Sequence, residues 1–132
     1  MTTKRSQSVT TALAPAAIGP YSQAMQFGDL VFISGQLGLD PKTGLLVSGG
    51  VAPQTQQIIQ NLLSIGAAAR STPNQFLKLT LYLTDLADFE TVNKLLSAAL
   101  AEPFPARATV GVAALPKGAA IEIDAIMAGS NG

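Results

Sequence analysis

The chain has 132 residues, 48% of them apolar and 12% charged, and its eight Lys and Arg balance its eight Asp and Glu. That length and apolar content fit one folded domain, not a disordered chain, and a neutral chain lacks the basic surface of a nucleic-acid binder or of a membrane-surface helix. The absence of His, Cys and Trp excludes Ser-His-Asp and Cys-His catalysis, Cys/His zinc sites, thiol chemistry and His-ligated haem, which leaves Arg, Lys, Asp, Glu, Tyr, Ser, Thr, Asn, backbone groups and water.

Residues 1–13 read as a flexible lead-in and 14–132 as a single domain. The first 28 residues contain no acid and are rich in Ser, Thr and Ala. Thr10, Thr11 and Pro15 interrupt any apolar run that a secretory segment would need, and no stretch approaches the length of a membrane span. The expected location is the cytoplasm, with a mitochondrial one as the alternative because the composition faintly resembles a transit peptide.

A hairpin is expected from Ser22 to Phe27 and Leu30 to Gln36, with Gly28-Asp29 suited to a type II′ turn. Asp40-Pro41-Lys42-Thr43-Gly44 marks a second turn. Over 51–69, Val51, Thr55, Ile58, Ile59, Leu62 and Ile65 recur at helical spacing until Ser71-Thr72-Pro73-Asn74 breaks it. Leu77, Leu79, Leu81 and Leu83 alternate with Lys78, Thr80 and Tyr82, the pattern of a strand with one buried face. Asp85 is placed to cap a second helix with Phe89, Val92, Leu96, Ala99 and Leu100 along its apolar stripe, ended by Pro103 and Pro105. Strands over 106–112 and 119–127 close a ββαβαββ order, an α+β fold with two helices on one face of a mixed sheet.

Two helices cover one face only. The other is expected to carry Arg107, Thr109, Glu122, Asp124, Lys78 and Tyr82 together with Phe32 and Ile126, a mixture that points to a partner surface. A symmetric homo-oligomer is the simplest partner, with pockets where polar groups of two chains converge.

Arg107 can fork onto a carboxylate through parallel hydrogen bonds; a structural ion pair with Glu122 or Asp124 is the competing reading. Glu122, between Ile121 and Ile123, can pass protons if burial raises its pKa, or serve as the other half of that ion pair. Tyr21, after Gly19-Pro20, Ser34 and Asn93 are neutral hydrogen-bonding groups. The tracts Ser48-Gly49-Gly50 and Leu115-Pro116-Lys117-Gly118 do not match a phosphate loop.

Four blocks carry a resemblance. Ala14-Pro15-Ala16-Ala17-Ile18-Gly19-Pro20-Tyr21-Ser22-Gln23-Ala24, then Ile33-Ser34-Gly35-Gln36, then Leu83-Thr84-Asp85-Leu86 with Asp88-Phe89 and Val92-Asn93, and finally Pro105-Ala106-Arg107 through Leu115-Pro116-Lys117-Gly118 to Ile121-Glu122-Ile123 resemble the RidA (YjgF) family of enamine/imine deaminases. The resemblance spans about residues 14–127. It implies a chorismate-mutase-like α+β fold, a homotrimer with active sites in the clefts between subunits, and no metal or organic cofactor. It also implies a substrate class: 2-aminoacrylate and related 2-imino acids such as 2-iminopropanoate and 2-iminobutanoate, released by pyridoxal-phosphate enzymes and hydrolysed to a 2-oxo acid and ammonia. By the same resemblance Arg107 would bind the substrate carboxylate, assisted by the backbone N–H of Thr109. Glu122 would hold or activate the attacking water, and Tyr21, Ser34 and Asn93 would line the pocket. Many relatives read Arg-Ser-Cys or Arg-Ser-Thr where this chain has Arg107-Ala108-Thr109, so no thiol is available there.

Two other readings compete. A non-catalytic module would hold a small carboxylate and report its level to a partner; the presence of Glu122 favours the enzyme. An endoribonuclease or translation inhibitor is the weaker alternative, because phosphate contacts dominate RNA affinity and the chain has no net charge.

Overall fold

Gly28, at φ 60°, reverses the chain between strands β2 (Ala24–Phe27) and β3 (Leu30–Gln36), a backbone conformation that glycine adopts without steric cost. The structure, a computed structural model, describes residues 5–130. The remaining elements are β1 (Ser6–Val9), α1 (Val51–Ala68), β4 (Phe76–Leu83), α2 (Phe89–Ala99), β5 (Ala106–Gly111) and β6 (Ile121–Ala128). Six strands form one mixed sheet in the order β1-β2-β3-β6-β4-β5. Every pairing is antiparallel except β4 with β5, where α2 supplies the crossover that parallel neighbours need. No helix among the described residues is long and apolar enough to cross a membrane.

The core lies between one sheet face and the two helices. Val31, Ile33, Leu79, Leu81, Leu83, Ile121, Ile123 and Met127 meet Ile58, Leu62 and Ile65 of α1 and Val92 and Leu96 of α2. Burial of each such side chain contributes roughly 1.5–3 kcal/mol. Polar groups pin the layers together. Gln54 of α1 accepts the Ala120 N–H through Oε1 at 2.8 Å, which anchors the start of β6. Asn61 donates to the Leu39 carbonyl at 3.0 Å, which holds the segment after β3. The opposite face leaves Met25, Phe27, Leu30 and Phe32 exposed on neighbouring strands.

The α+β architecture with two helices on one face is as the sequence predicts, and four details differ. Ser6–Val9 is a strand paired antiparallel with β2, not part of a flexible lead-in; residues 1–4 of that segment lie outside the described residues. Its short polar pattern carries no apolar alternation to announce it. Leu77 is 45% exposed whereas Phe76 is buried, because the pairing of β4 with β6 shifts register between Phe76 and Lys78 and the extra residue reverses the alternation. Asp85 caps a short 3-10 turn over Leu86–Asp88, accepting the Ala87 N–H at 2.9 Å, and α2 itself starts at Phe89.

The fourth difference concerns the site. Leu79 pairs with Arg107 and Leu81 with Thr109, while Tyr82 pairs with both Val110 and Glu122. Residues in register point to the same side of a sheet. Arg107 and Thr109 therefore lie on the helix-covered face, and Glu122 and Asp124 lie on the open one. The expectation that all four share a face is corrected, and so is the proposed ion pair of Arg107 with either acid. The alternation of β5 is as expected, but its Ala108 and Val110 side faces out, and apolar character alone pointed the wrong way.

Gln23 ties the N-terminal segment to the sheet. Its Oε1 accepts the Thr11 N–H at 2.7 Å, and its Nε2 donates to the carbonyls of Thr11, Ala14 and Pro15 at 3.0, 3.3 and 2.8 Å. Gln23→Ala leaves these groups unpaired in a buried place and is expected to cost about 2 kcal/mol in urea unfolding. Gln60→Ala on the exposed side of α1 is expected to change stability by less than about 0.5 kcal/mol.

Candidate functional site

The residues singled out from the sequence fall into two groups. The first is built where α2 crosses β5. Phe89 and Asn93 are four residues apart on α2 and so project side by side. The Arg107 guanidinium donates to Asn93 Oδ1 and stands 5.1 Å from the Phe89 ring centroid, a distance at which cation and ring attract. Both contacts orient a side chain whose residue is largely exposed. Beside it opens a cleft of about 320 Å³ whose walls include Leu79, Leu96, Leu100 and Phe104.

Thr109 follows two residues later on the same face. Its Oγ1 is buried and has no hydrogen-bond partner among the described residues. The backbone N–H of Thr109 is also placed by the sheet. The Val112 N–H donates to the Leu83 carbonyl at 2.9 Å, so even-numbered residues of β5 bond to β4. With the register unbroken along this pair, Arg107 and Thr109 direct their N–H groups to the open edge, because successive residues of a strand alternate. A guanidinium and edge N–H donors side by side are groups from which a small carboxylate can accept hydrogen bonds.

The second group surrounds an irregularity in β3. Ile33 pairs with Ala125 and Gln36 with Ile123, so three steps on β3 face two on β6. This bulge holds Ser34 and Gly35. Ser34 donates through Oγ to the Ser22 carbonyl at 2.6 Å, and its N–H donates to the Gln23 carbonyl at 2.9 Å, which fixes the loop carrying Tyr21. Tyr21 is 52% exposed; its Oη accepts the Ile18 N–H at 3.4 Å, and it shares the wall of a small cleft with Gly35. The Glu122 carboxyl lies over Gly35.

Glu122 makes no ion pair among the described residues. Burial, and secondly the negative charge of Asp124, push its pKa above the ordinary 4.5. Asp124 is held by the Tyr82 hydroxyl, which donates to its Oδ2 at 2.8 Å; that bond, with burial, raises the Tyr82 pKa. A carboxylate left without a cationic partner and lifted in pKa is suited to take and return a proton.

Within one chain the groups do not meet. Glu122 and Arg107 sit on opposite faces, with β4 between their strands. Two strand spacings across and three residues along separate their backbones by about 14 Å. The sequence thus singled out Tyr21, Ser34, Asn93, Arg107, Thr109 and Glu122, and the fold assembles Asn93, Arg107 and Thr109 in one place and Tyr21, Ser34 and Glu122 in another. Phe89, Gly35, Tyr82 and Asp124 were not among the candidates. The spacing of Phe89 and Asn93 was a legible signal; the packing of Glu122 on Gly35 was not. Among the described residues no cluster of three or more His, Cys, Asp or Glu could hold a metal.

The family model described as Endoribonuclease L-PSP matches residues 11–128. The chain is 48% identical over 118 residues to human 2-iminobutanoate/2-iminopropanoate deaminase, covering 89% of this chain and 86% of the human one. It is 49% identical over 118 residues to the Arabidopsis thaliana chloroplastic Reactive Intermediate Deaminase A, covering 89% of this chain and 63% of that protein. Among solved structures it resembles RidA from an Antarctic Psychrobacter with a TM-score of 0.89 and 48% identity, covering 92% of this chain and 98% of the other. It also resembles Escherichia coli TdcF, solved with bound serine, with a TM-score of 0.87 and 36% identity, covering 94% and 99%. The two side-chain groups thus stand on a fold and a sequence shared over nearly the whole chain, and the chain belongs to the RidA (YjgF) family.

Proposed function

We propose that this protein hydrolyses 2-imino acids and their enamine tautomers, 2-aminoacrylate, 2-iminopropanoate and 2-iminobutanoate, to 2-oxo acids and ammonia. The observation that carries this reading is that the fold presents both an oriented guanidinium at Arg107 and a carboxyl of raised pKa at Glu122, neither of them in an ion pair among the described residues. The names of relatives at 48–49% identity point to the same chemistry, and the serine bound in TdcF is a small amino acid with a carboxylate of the kind Arg107 would grip.

The site is completed between chains. One copy supplies Arg107, Asn93 and the Thr109 N–H; a neighbour supplies Glu122, Ser34 and Tyr21. The exposed Met25, Phe27, Leu30 and Phe32 and the outward Val110 give such a neighbour an apolar surface to cover. A homotrimer with three equivalent clefts is the assembly we favour, acting in the cytoplasm beside the enzymes that release imino acids. The absence of net charge weighs against the endoribonuclease reading that the wording of the family model offers, because phosphate contacts dominate RNA affinity.

In the cleft, the substrate carboxylate docks on Arg107 and the edge N–H. A water held about 3 Å from the imine carbon gives a proton to Glu122 as its oxygen bonds to that carbon. Glu122 returns that proton to nitrogen, giving a carbinolamine; it then takes the proton of the new hydroxyl and passes it to the same nitrogen, and the C–N bond breaks as the carbonyl forms and ammonia leaves. An imine beside a carboxylate is already electrophilic, so orientation and proton transfer suffice without a cofactor.

A lyase that generates 2-aminoacrylate, coupled to detection of pyruvate, tests this directly: the protein is expected to speed pyruvate release, and an unchanged rate across several imino acids would overturn the reading. Arg107→Ala is expected to lower kcat/KM about 100-fold, and Arg107→Lys not to restore it, because the planar fork is lost. Glu122 must be ionised to accept the proton, and its pKa is raised. Activity is therefore expected to fall as pH drops through a midpoint above 4.5. Asp124→Asn, which removes a charge opposing that ionisation, is expected to move the midpoint to lower pH. A midpoint at or below 4.5, or one unmoved by Asp124→Asn, would contradict the role of Glu122.

A further inference from the structure

We infer that Gly35 is a positioning residue whose missing side chain makes room for the Glu122 carboxyl, an inference that rests on the proposed role of Glu122. A Cβ added at Gly35 would fall 2.2 Å from Glu122 Oε2, 2.9 Å from its Cδ and 3.3 Å from its Cγ, and these are the three nearest atoms. Nothing else crowds that point more closely. The φ of Gly35 lies outside the left-handed region, so its backbone does not itself demand glycine. Gly35 is also exposed, which leaves a displaced carboxyl free to swing toward solvent.

The anchor on the other side is rigid. Glu122 sits in β6, paired with Tyr82 of β4, and the strand start is held by the bond from Ala120 N–H to Gln54. The bulge that presents Gly35 is held by the two Ser34 bonds to the Ser22–Gln23 segment. With both backbones fixed, a methyl group at position 35 can be relieved only by moving the Glu122 side chain. The same bulge thus serves two residues: Ser34 steadies the loop of Tyr21, and Gly35 gives the carboxyl its seat.

Gly35→Ala is expected to melt within a few degrees of the parent and to lose about 100-fold in kcat. Its KM is expected to stay within about 3-fold, because Arg107 on the other half of the site is untouched. In a Glu122→Gln background, Gly35→Ala is expected to cost less than about 2-fold more. In a Glu122→Asp background, where the shorter side chain places no atom beyond the present Cγ and Cδ region, the added cost is expected to be below about 10-fold. A Gly35→Ala enzyme with the parental kcat, or an equal loss in all backgrounds, would overturn the inference. Glu122→Gln at the parental rate would instead overturn the role of Glu122 itself.

Discussion

The parallel pairing of β5 with β4 is the constraint on which the rest of the site depends. It sets Leu79 against Arg107 and Tyr82 against Val110, so the guanidinium goes to the helix-covered face while Glu122, in register with Tyr82 on β6, goes to the open one. A shift of one residue would exchange the faces of every β5 side chain. It would put Arg107 on the same face as the carboxylates of β6, one strand away across β4, where their attraction would compete with any substrate. The observed register keeps the cation and the acid apart within a chain, and each stays available to a ligand.

The two halves are prepared in different ways. Arg107 is steered by a hydrogen bond to Asn93 and by the face of Phe89, neither of which carries charge. Its positive charge is therefore not neutralised by an ion pair among the described residues, as the proposed grip on a carboxylate requires. Glu122 has no cationic partner among the described residues and is raised in pKa by burial and by Asp124. Asp124 is tied to Tyr82, which keeps the repelling charge in place. A raised pKa on one acid, set by its burial and by a fixed neighbouring charge, is what the proposed proton-transfer role of Glu122 calls for.

Much of this was readable in the sequence. Strand β3, helix α1 and the outer limits of β5 and β6 follow from alternation, helical spacing and turn residues, and the four motif blocks pointed to the family. The misreadings share a physical cause. Polarity patterns report which side chains alternate, but not which side of the sheet they join. β5 carries the more apolar Ala108 and Val110 on its outer side, where both are exposed in this chain. Leu77 followed a clean alternation that a bulge interrupts. β1, with Ser6, Gln7 and Ser8 exposed, is held by backbone pairing, which leaves no side-chain signature. The contact of Glu122 with Gly35 joins residues far apart in the chain, and no local pattern encodes it.

The decisive measurement mixes two inactive variants. In the proposed assembly, Arg107→Ala and Glu122→Gln chains, unfolded together and refolded in equal amounts, would form clefts in which one copy supplies the intact guanidinium and its neighbour the intact carboxyl. For a symmetric ring, about a quarter of the sites are then complete, and deaminase activity is expected to return to about that fraction of the parent. Activity that stays at the level of the separate variants, with mixed oligomers present, would place both groups of each site in one chain and contradict a cleft shared between copies.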